Sequence, residues 1–369
     1  MIIKSRNSTQ REGNKPTPFH TISFLSLVGR FLSVIWLSLV WSSCGEDSAP
    51  DVSNIPADVK IIRTEQLLFD IATKKDFYNL FDMHPSFYNL YFSDVLALDG
   101  AQNRDSLYVS FDQWVKDSLV TDLFSKVNTT YKETISLKTD ADQMYRYLQH
   151  YFPRRYPIPN LYTFVSEYNY QVFIFEDEGK KDGIGIGLDM FLQKDIDYKL
   201  IDPDNTNFSD YITRSWNKDH IIKKVAELYV NDLVGEMPGR RMIDQMIHHG
   251  KVHYITDLIL PAVHDSIIME FTGTQLQWCQ DNETQIWAFF FEKNLFFESN
   301  PTIIGKYVNL SPSSPEMPAE APGRTANFVG WQIIKEYMKR YPETTLQQLI
   351  ELKDSQLIME KSKYKPKQN

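Results

Sequence analysis

Cysteine is almost missing from this 369-residue chain: Cys44 and Cys279 are its only two. A framework of internal disulfides is therefore excluded, and the core must hold without covalent staples. Length permits that, because a chain of this size lies far above the range in which a core is marginal. Several signatures are absent as well. There is no Gly-x-Ser-x-Gly elbow, no phosphate loop ending in Gly-Lys-Ser/Thr, no Cys-x-x-Cys pair and no complete His-Glu-x-x-His. These absences remove the commonest hydrolase, nucleotide-binding and thiol-redox readings. Basic charge is scarce once the first 43 residues are set aside: 34 basic residues face 47 acidic ones, a net charge of −13. So acidic a body argues against nucleic acid as a partner. It also argues against electrostatic adhesion to an anionic lipid surface.

The N-terminus carries the clearest positive signal. Lys4, Arg6, Arg11 and Lys15 face a single acid, Glu12, and an apolar run follows from Ile22 to Trp41, broken by Arg30. A basic region, a short apolar region and small residues before a cleavage point make a secretory signal. The unbroken stretch Phe31–Trp41 is too short for a membrane-spanning helix, which needs about 20 residues. Ser42 and Ser43 then precede Cys44 in the order of a bacterial lipobox, with Trp41 where Leu is usual. In that reading Cys44 is acylated and tethers the chain to a membrane. The competing reading is an uncleaved signal anchor over Ile22–Trp41, which must tolerate Arg30 within the bilayer. The expected organisation is a signal peptide at 1–43, a lipid-attached linker at 44–57 and one globular domain at 58–369, of one or two lobes.

Periodicity within that domain is mainly helical. Phe87, Tyr91, Val95 and Leu98 share one helical face, as do Phe111, Trp114, Val115, Leu119 and Leu123. Asp140 is placed to cap a helix carrying Met144, Tyr147, Leu148 and Tyr151. The period changes at Leu161–Val165, Tyr170–Phe175 and Ile184–Leu188, which read as strands, with a polar hairpin tip over Glu176–Gly183. These predict one small antiparallel sheet. Asn217 caps a helix that reaches Val234 and stops at Gly235, and a second helix runs from about Pro238 to Leu260. Pro312, Pro315, Pro318 and Pro322 make residues 309–324 a long non-helical loop, of the kind that often carries function. A helix follows over Thr325–Tyr341, and Thr345 with Gln348 forms a capping box for the last helices. The fold class is α+β, mostly α-helical.

Three groups of residues could carry chemistry. Gly183-Ile184-Gly185-Ile186-Gly187 resembles a dinucleotide fingerprint in spacing, but it precedes a strand instead of opening a helix, so it is read as strand glycines. His220 opens a helix as His220-Ile221-Ile222-Lys223-Lys224. A zinc peptidase would need Glu at Ile221 and His at Lys224. His249 and His253 sit four residues apart on one helical face, a metal-compatible spacing that is also common among structural histidines. Arg324 stands at a helix start beside Thr325 and near Asn327. That is either an anion or partner site or a loop pin in which Arg324 pairs with Glu316, Glu320 or a carbonyl.

Tyr162-Thr163-Phe164-Val165-Ser166, Tyr170-Gln171-Val172-Phe173, Gly187-Leu188-Asp189-Met190-Phe191-Leu192, Asn217-Lys218-Asp219-His220-Ile221 and Gly323-Arg324-Thr325-Ala326-Asn327 occur in one order. Together they resemble the gliding motility lipoprotein GldB family of Bacteroidetes, over about Asp51 to Pro366. The resemblance implies a cell-envelope lipoprotein, anchored by lipid to the inner or outer membrane and facing the periplasm. Its partners would be other gliding or type IX secretion proteins. The family is also distantly similar to zincin-like proteins, which implies a degenerate zincin-like architecture with no enzymatic activity and no zinc. The alternatives are a metal-dependent hydrolase with non-standard ligands and a carbohydrate- or peptide-binding module.

Overall fold

Aromatic and β-branched residues dominate residues 160–187, and this stretch supplies three strands of a four-stranded sheet. The computed structural model describes residues 49–100 and 103–366, so the signal segment and Cys44 lie outside the described residues. Strand β1 is Lys60–Arg63, β2 Asn160–Phe164, β3 Val172–Asp177 and β4 Lys181–Gly187. Their order is β1-β2-β4-β3. β2 is parallel to both β1 and β4, and only β3 and β4 are antiparallel. The α+β, mostly helical class is as expected, but the sheet is mixed and not wholly antiparallel. A hairpin writes its turn into the local sequence, as Gly179 does here with φ +78°. Parallel pairing between distant strands leaves no such trace, and Lys60-Ile61-Ile62-Arg63 is too short to stand out.

The glycines of β4 are explained by what covers them. Phe175 pairs with Gly183 and Phe173 with Gly185 across the β3–β4 ladder. A Cβ on either glycine would lie 2.4 Å from a ring atom of its partner. Each aromatic ring thus lies over a glycine and fills the face that the glycine leaves bare. Ile184 and Ile186 point to the opposite face and are fully buried. The dinucleotide-like spacing is therefore an alternation of ring-covered glycine and core isoleucine.

Helices cover both faces. On the ring side lie α1 (Thr64–Phe69), α2 (Lys74–Met83), α3 (Pro85–Leu90, continuing as a π turn over Tyr91–Val95) and α4 (Arg104–Trp114). Their aromatic core includes Phe77, Phe81, Phe87, Tyr91 and Phe111, and Tyr162 and Phe164 of β2 form its floor. The rings of Phe87 and Tyr162 stack with centroids 4.6 Å apart. Helix α5 (Ser118–Thr130) contributes to both cores.

The larger core lies on the other face. It is built from α6 (Ile135–Tyr151), the short α7 (Asp210–Thr213), α8 (Ile221–Val234), α9 (Met242–Ile259), α10 (Asp265–Met269), α11 (Gly273–Asp281), α12 (Glu283–Glu292), α13 (Pro301–Val308), α14 (Thr325–Arg340), α15 (Leu346–Glu351) and α16 (Ser355–Ser362). Several caps match expectation. Asn217 caps the 3₁₀ turn Lys218–His220 that leads into α8, Gly235 ends α8, and Thr345 with Gln348 forms the capping box of α15. Asp140 does not cap a helix, because α6 has already begun at Ile135. The helix expected from Pro238 begins at Met242, after a turn closed by Arg241 and Asp244.

Helices α9 and α14 approach closely at two glycines. A Cβ on Gly250 would lie 2.3 Å from the Gly330 carbonyl oxygen, and one on Gly330 would lie 1.9 Å from the Met246 carbonyl oxygen. Two glycines therefore let the two backbones touch, which brings the histidine-bearing face of α9 against the start of α14. Gly330→Ala should destabilise the fold by about 2 kcal/mol or more, because a backbone obstacle cannot rotate away. Gly185→Ala should cost clearly less, since it meets only the Phe173 ring. Denaturant midpoints of the two variants check this, and equal midpoints would contradict it.

Candidate functional site

The site grows from the turn before α8. The Asn217 side chain accepts a hydrogen bond from the Asp219 backbone N–H and lies 3.0 Å from Nδ1 of His220, while its own amide donates to the Arg214 carbonyl. The first turns of α8 then present Lys223, Lys224 and Glu227. Lys223 and Glu227 are four residues apart on one face, and their charges meet at 2.7 Å. Two further residues arrive from positions where the chain adopts a left-handed conformation. Glu270 follows α10 with φ +56°, and Arg324 caps α14 with φ +62°. Such backbone angles are costly for non-glycine residues and cluster where the surrounding structure holds them in place.

Glu270 is the centre of this group, with only 3% of its surface exposed. Its Oε1 accepts from Nζ of Lys223 at 2.8 Å and also from Lys224, and its Oε2 accepts from Arg324 at 3.0 Å. Burial by itself would push the carboxyl up. The three cations outweigh it and hold Glu270 well below the usual carboxylate range. Burial would likewise push Lys223 down, but Glu227 and Glu270 keep the ammonium above its ordinary value. The space between two carboxylates that a divalent cation could occupy is thus filled by the chain's own ammonium. The residues present do not fit a zinc ion there. Among the described residues no group of three or more His, Cys, Asp or Glu is positioned to hold a metal.

The candidate histidines surround this cluster without joining it as ligands. His220 is buried, and burial lowers it to about 4, with Lys223 and Lys224 acting in the same sense. His249 is lowered to about 4 by burial, then by His248 and Arg324. His253 is held well below its ordinary value by burial first, then by Lys223, His249 and Arg324. Both of its ring nitrogens are buried without a hydrogen-bond partner. All three rings are therefore neutral near pH 7.

Arg324 pairs with Glu270 and not with Glu316, Glu320 or a carbonyl, which corrects the loop-pin reading. The reason is competition: the exposed Glu316 is taken by Lys293 at 3.1 Å, whereas Glu270 is fixed and buried. Thr325 is fully buried, and its hydroxyl lies 2.7 Å from that of Ser314, which also donates to the Pro322 carbonyl. Asn327 donates to the Val308 carbonyl. These contacts, and not Arg324, tie down the proline-rich loop. A cleft of about 530 Å³ adjoins the turn before α8, lined in part by Tyr131, Asp140, Lys218, Asp219 and His264.

Reading from the sequence centred on His220, Ile221 and Lys224 and missed the residues that actually meet. A signal was available. Lys223 falls on the apolar face of α8 among Ile222, Val225 and Ala226, and Glu270 interrupts Ile267-Ile268-Met269…Phe271. Charges at core positions imply that each needs the other.

Two outcomes follow from this electrostatic arrangement. Glu270→Gln leaves Lys223, Lys224 and Arg324 facing a neutral group and should destabilise the fold by about 3 kcal/mol, measured by urea unfolding. A loss below about 1 kcal/mol would show that the cluster is solvated. The pH dependence has a definite sign. His220, His248 and His249 titrate near pH 4 in the folded chain against 6.5 when unfolded. The unfolded chain therefore binds more protons between these values, and stability is full above pH 6.5 and lost as pH falls toward 4. Asp189, raised by burial to about 6 from 3.8, and Asp140, Asp182 and Asp257, also raised by burial, act in the opposite sense, while His253 adds to the histidine effect. The unfolding midpoint should be lower at pH 5 than at pH 7.5, and an equal or higher midpoint at pH 5 would contradict the burial of the rings.

A lipoprotein family model, described as gliding motility protein GldB, matches residues 45–366. No curated protein and no solved structure matches the chain.

Proposed function

The chain belongs to the gliding motility protein GldB family, and from that membership we propose that it is a lipid-tethered envelope protein that supports gliding through protein contacts and not by catalysis. The tether is a lipid on Cys44, which places the acidic body in the periplasm beside the gliding and type IX secretion proteins. One observation carries the non-catalytic part: Lys223 lies 2.7 Å from Glu227 and 2.8 Å from Glu270. A metallohydrolase needs a cation with an open coordination position there. An ammonium satisfied by two carboxylates neither activates water nor polarises a carbonyl, and Glu270, engaged by three cations, is no free base. On this reading an ammonium stands between two carboxylates where a metallohydrolase would hold its metal.

The test is complementation in a gliding host from which the gene has been deleted. The parent chain, and chains carrying His220→Ala or Glu227→Gln, should all restore colony spreading, provided each accumulates as folded protein. Cys44→Ser should leave the membrane fraction and restore little. Loss of spreading in Glu227→Gln with normal accumulation and an unchanged unfolding midpoint would overturn the non-catalytic reading. Membrane retention of Cys44→Ser would overturn the tether.

A further inference from the structure

We propose that Arg214, Lys224 and Arg324 form a binding site for a carboxylate group at the surface of the Glu270 cluster. The charge balance is the first reason. Among the described residues the ion pairs of Lys223, Lys224 and Arg324 are all made with Glu227 and Glu270, three cations to two carboxylates, and Arg214 stands near Arg324 and Glu270 with no ion pair of its own. Lys223 is spent internally between its two carboxylates. The other three cations reach the surface: the side chains of Lys224 and Arg324 are 19% and 21% exposed, and Arg214 is half-buried.

The second reason is unused hydrogen-bonding capacity. Among the described residues Arg214 forms no ion pair, and its Nε–H is buried without an acceptor. His253, buried on α9 and subject to the Arg324 and Glu270 charges, leaves both ring nitrogens unpartnered as well. Buried donors without acceptors are uncommon in native proteins and point to a missing partner. The third reason is the backbone. Arg324 caps the sixteen-residue helix α14, whose N-terminal N–H groups and dipole favour an anion. Arg324 and Glu270 both hold left-handed angles to make their contact.

The chemistry selects among anions. A guanidinium presents paired N–H donors that match the two oxygens of a planar carboxylate. Two sources supply that group: a small organic acid, or the acidic side chain or free C-terminus of another protein. The site is inferred from its own geometry, so it stands or falls independently of the motility reading.

Calorimetric titration of the purified chain at fixed ionic strength tests it, with acetate, a short peptide bearing a free C-terminus, the same peptide amidated, and inorganic phosphate as probes. Saturable binding of acetate or of the free peptide, with none by the amide, is expected. Arg214→Gln should weaken it at least about tenfold, since an arginine fork to a carboxylate is worth a decade or more in affinity. Because Arg214 carries no ion pair, this variant should keep its unfolding midpoint. Arg214→Lys, which has the charge without the fork, should recover only part of the affinity. Free peptide binding much more tightly than acetate identifies a protein terminus as the source, and comparable affinity identifies a small acid. No saturable carboxylate binding, an undiminished affinity in Arg214→Gln, or binding of phosphate alone would each overturn the proposal.

Discussion

An ionised carboxylate cannot enter a protein interior without compensation, because its lost hydration is worth several kcal/mol. Glu270 is such a group, and the arrangement of the larger core follows from what compensates it. Lys223 and Lys224 come from α8, Arg324 from the start of α14, and Glu270 itself from the turn after α10. Three separate parts of the chain must therefore converge for any of them to be stable. Helix α9 lies beside them, and its glycine contact with α14 fixes how closely they approach. The histidines on α9 are neutral chiefly because they are buried, and for His249 and His253 the nearby Arg324 acts in the same sense. Charge pairing at Glu270 and backbone contact at Gly250 and Gly330 are two solutions to one packing problem.

The sheet divides the protein into two regions of different chemistry. On one face aromatic rings stack against strand glycines and against one another, and the Tyr91 and Tyr162 hydroxyls donate to the Val165 carbonyl and to Asp177. On the other face a core of both aliphatic and aromatic side chains encloses the ion cluster. Such a cluster is costly to maintain, and replacing it with apolar residues is often neutral or stabilising in other proteins. Its retention here, with two residues in left-handed angles, is easier to understand as a requirement of the surface it builds than as a device for stability.

Local rules made much of the fold legible. Capping residues such as Asn217, Thr345 and Gly235 mark boundaries because each satisfies a backbone group that the helix end leaves open. The β3–β4 hairpin was visible because its turn is adjacent in sequence. The pairing of β1 with β2 was not, since it joins residues 60–63 to residues 160–163 and is decided by tertiary packing. At the site, His220 drew attention because histidine is a common ligand, yet Lys223 and Glu270 do the connecting. Their significance depends on burial, which an apolar context hints at but does not prove. Arg324 was visible as a charged residue at a helix start. Its partner, 54 residues away, was not.

The β1-β2-β4-β3 order bears on how the chain acquires its structure. The ring-side helices are all encoded before residue 115, yet the floor of their core is Tyr162 and Phe164 of β2. β1 likewise waits for β2, and β2 for β4. A fragment that ended before residue 160 would lack the Tyr162 and Phe164 rings that cover Phe87 and Tyr91. The first third of the chain thus has a core completed by residues of the middle third. Wherever it emerges first from a ribosome or an export channel, it must be kept from self-association until the middle third arrives.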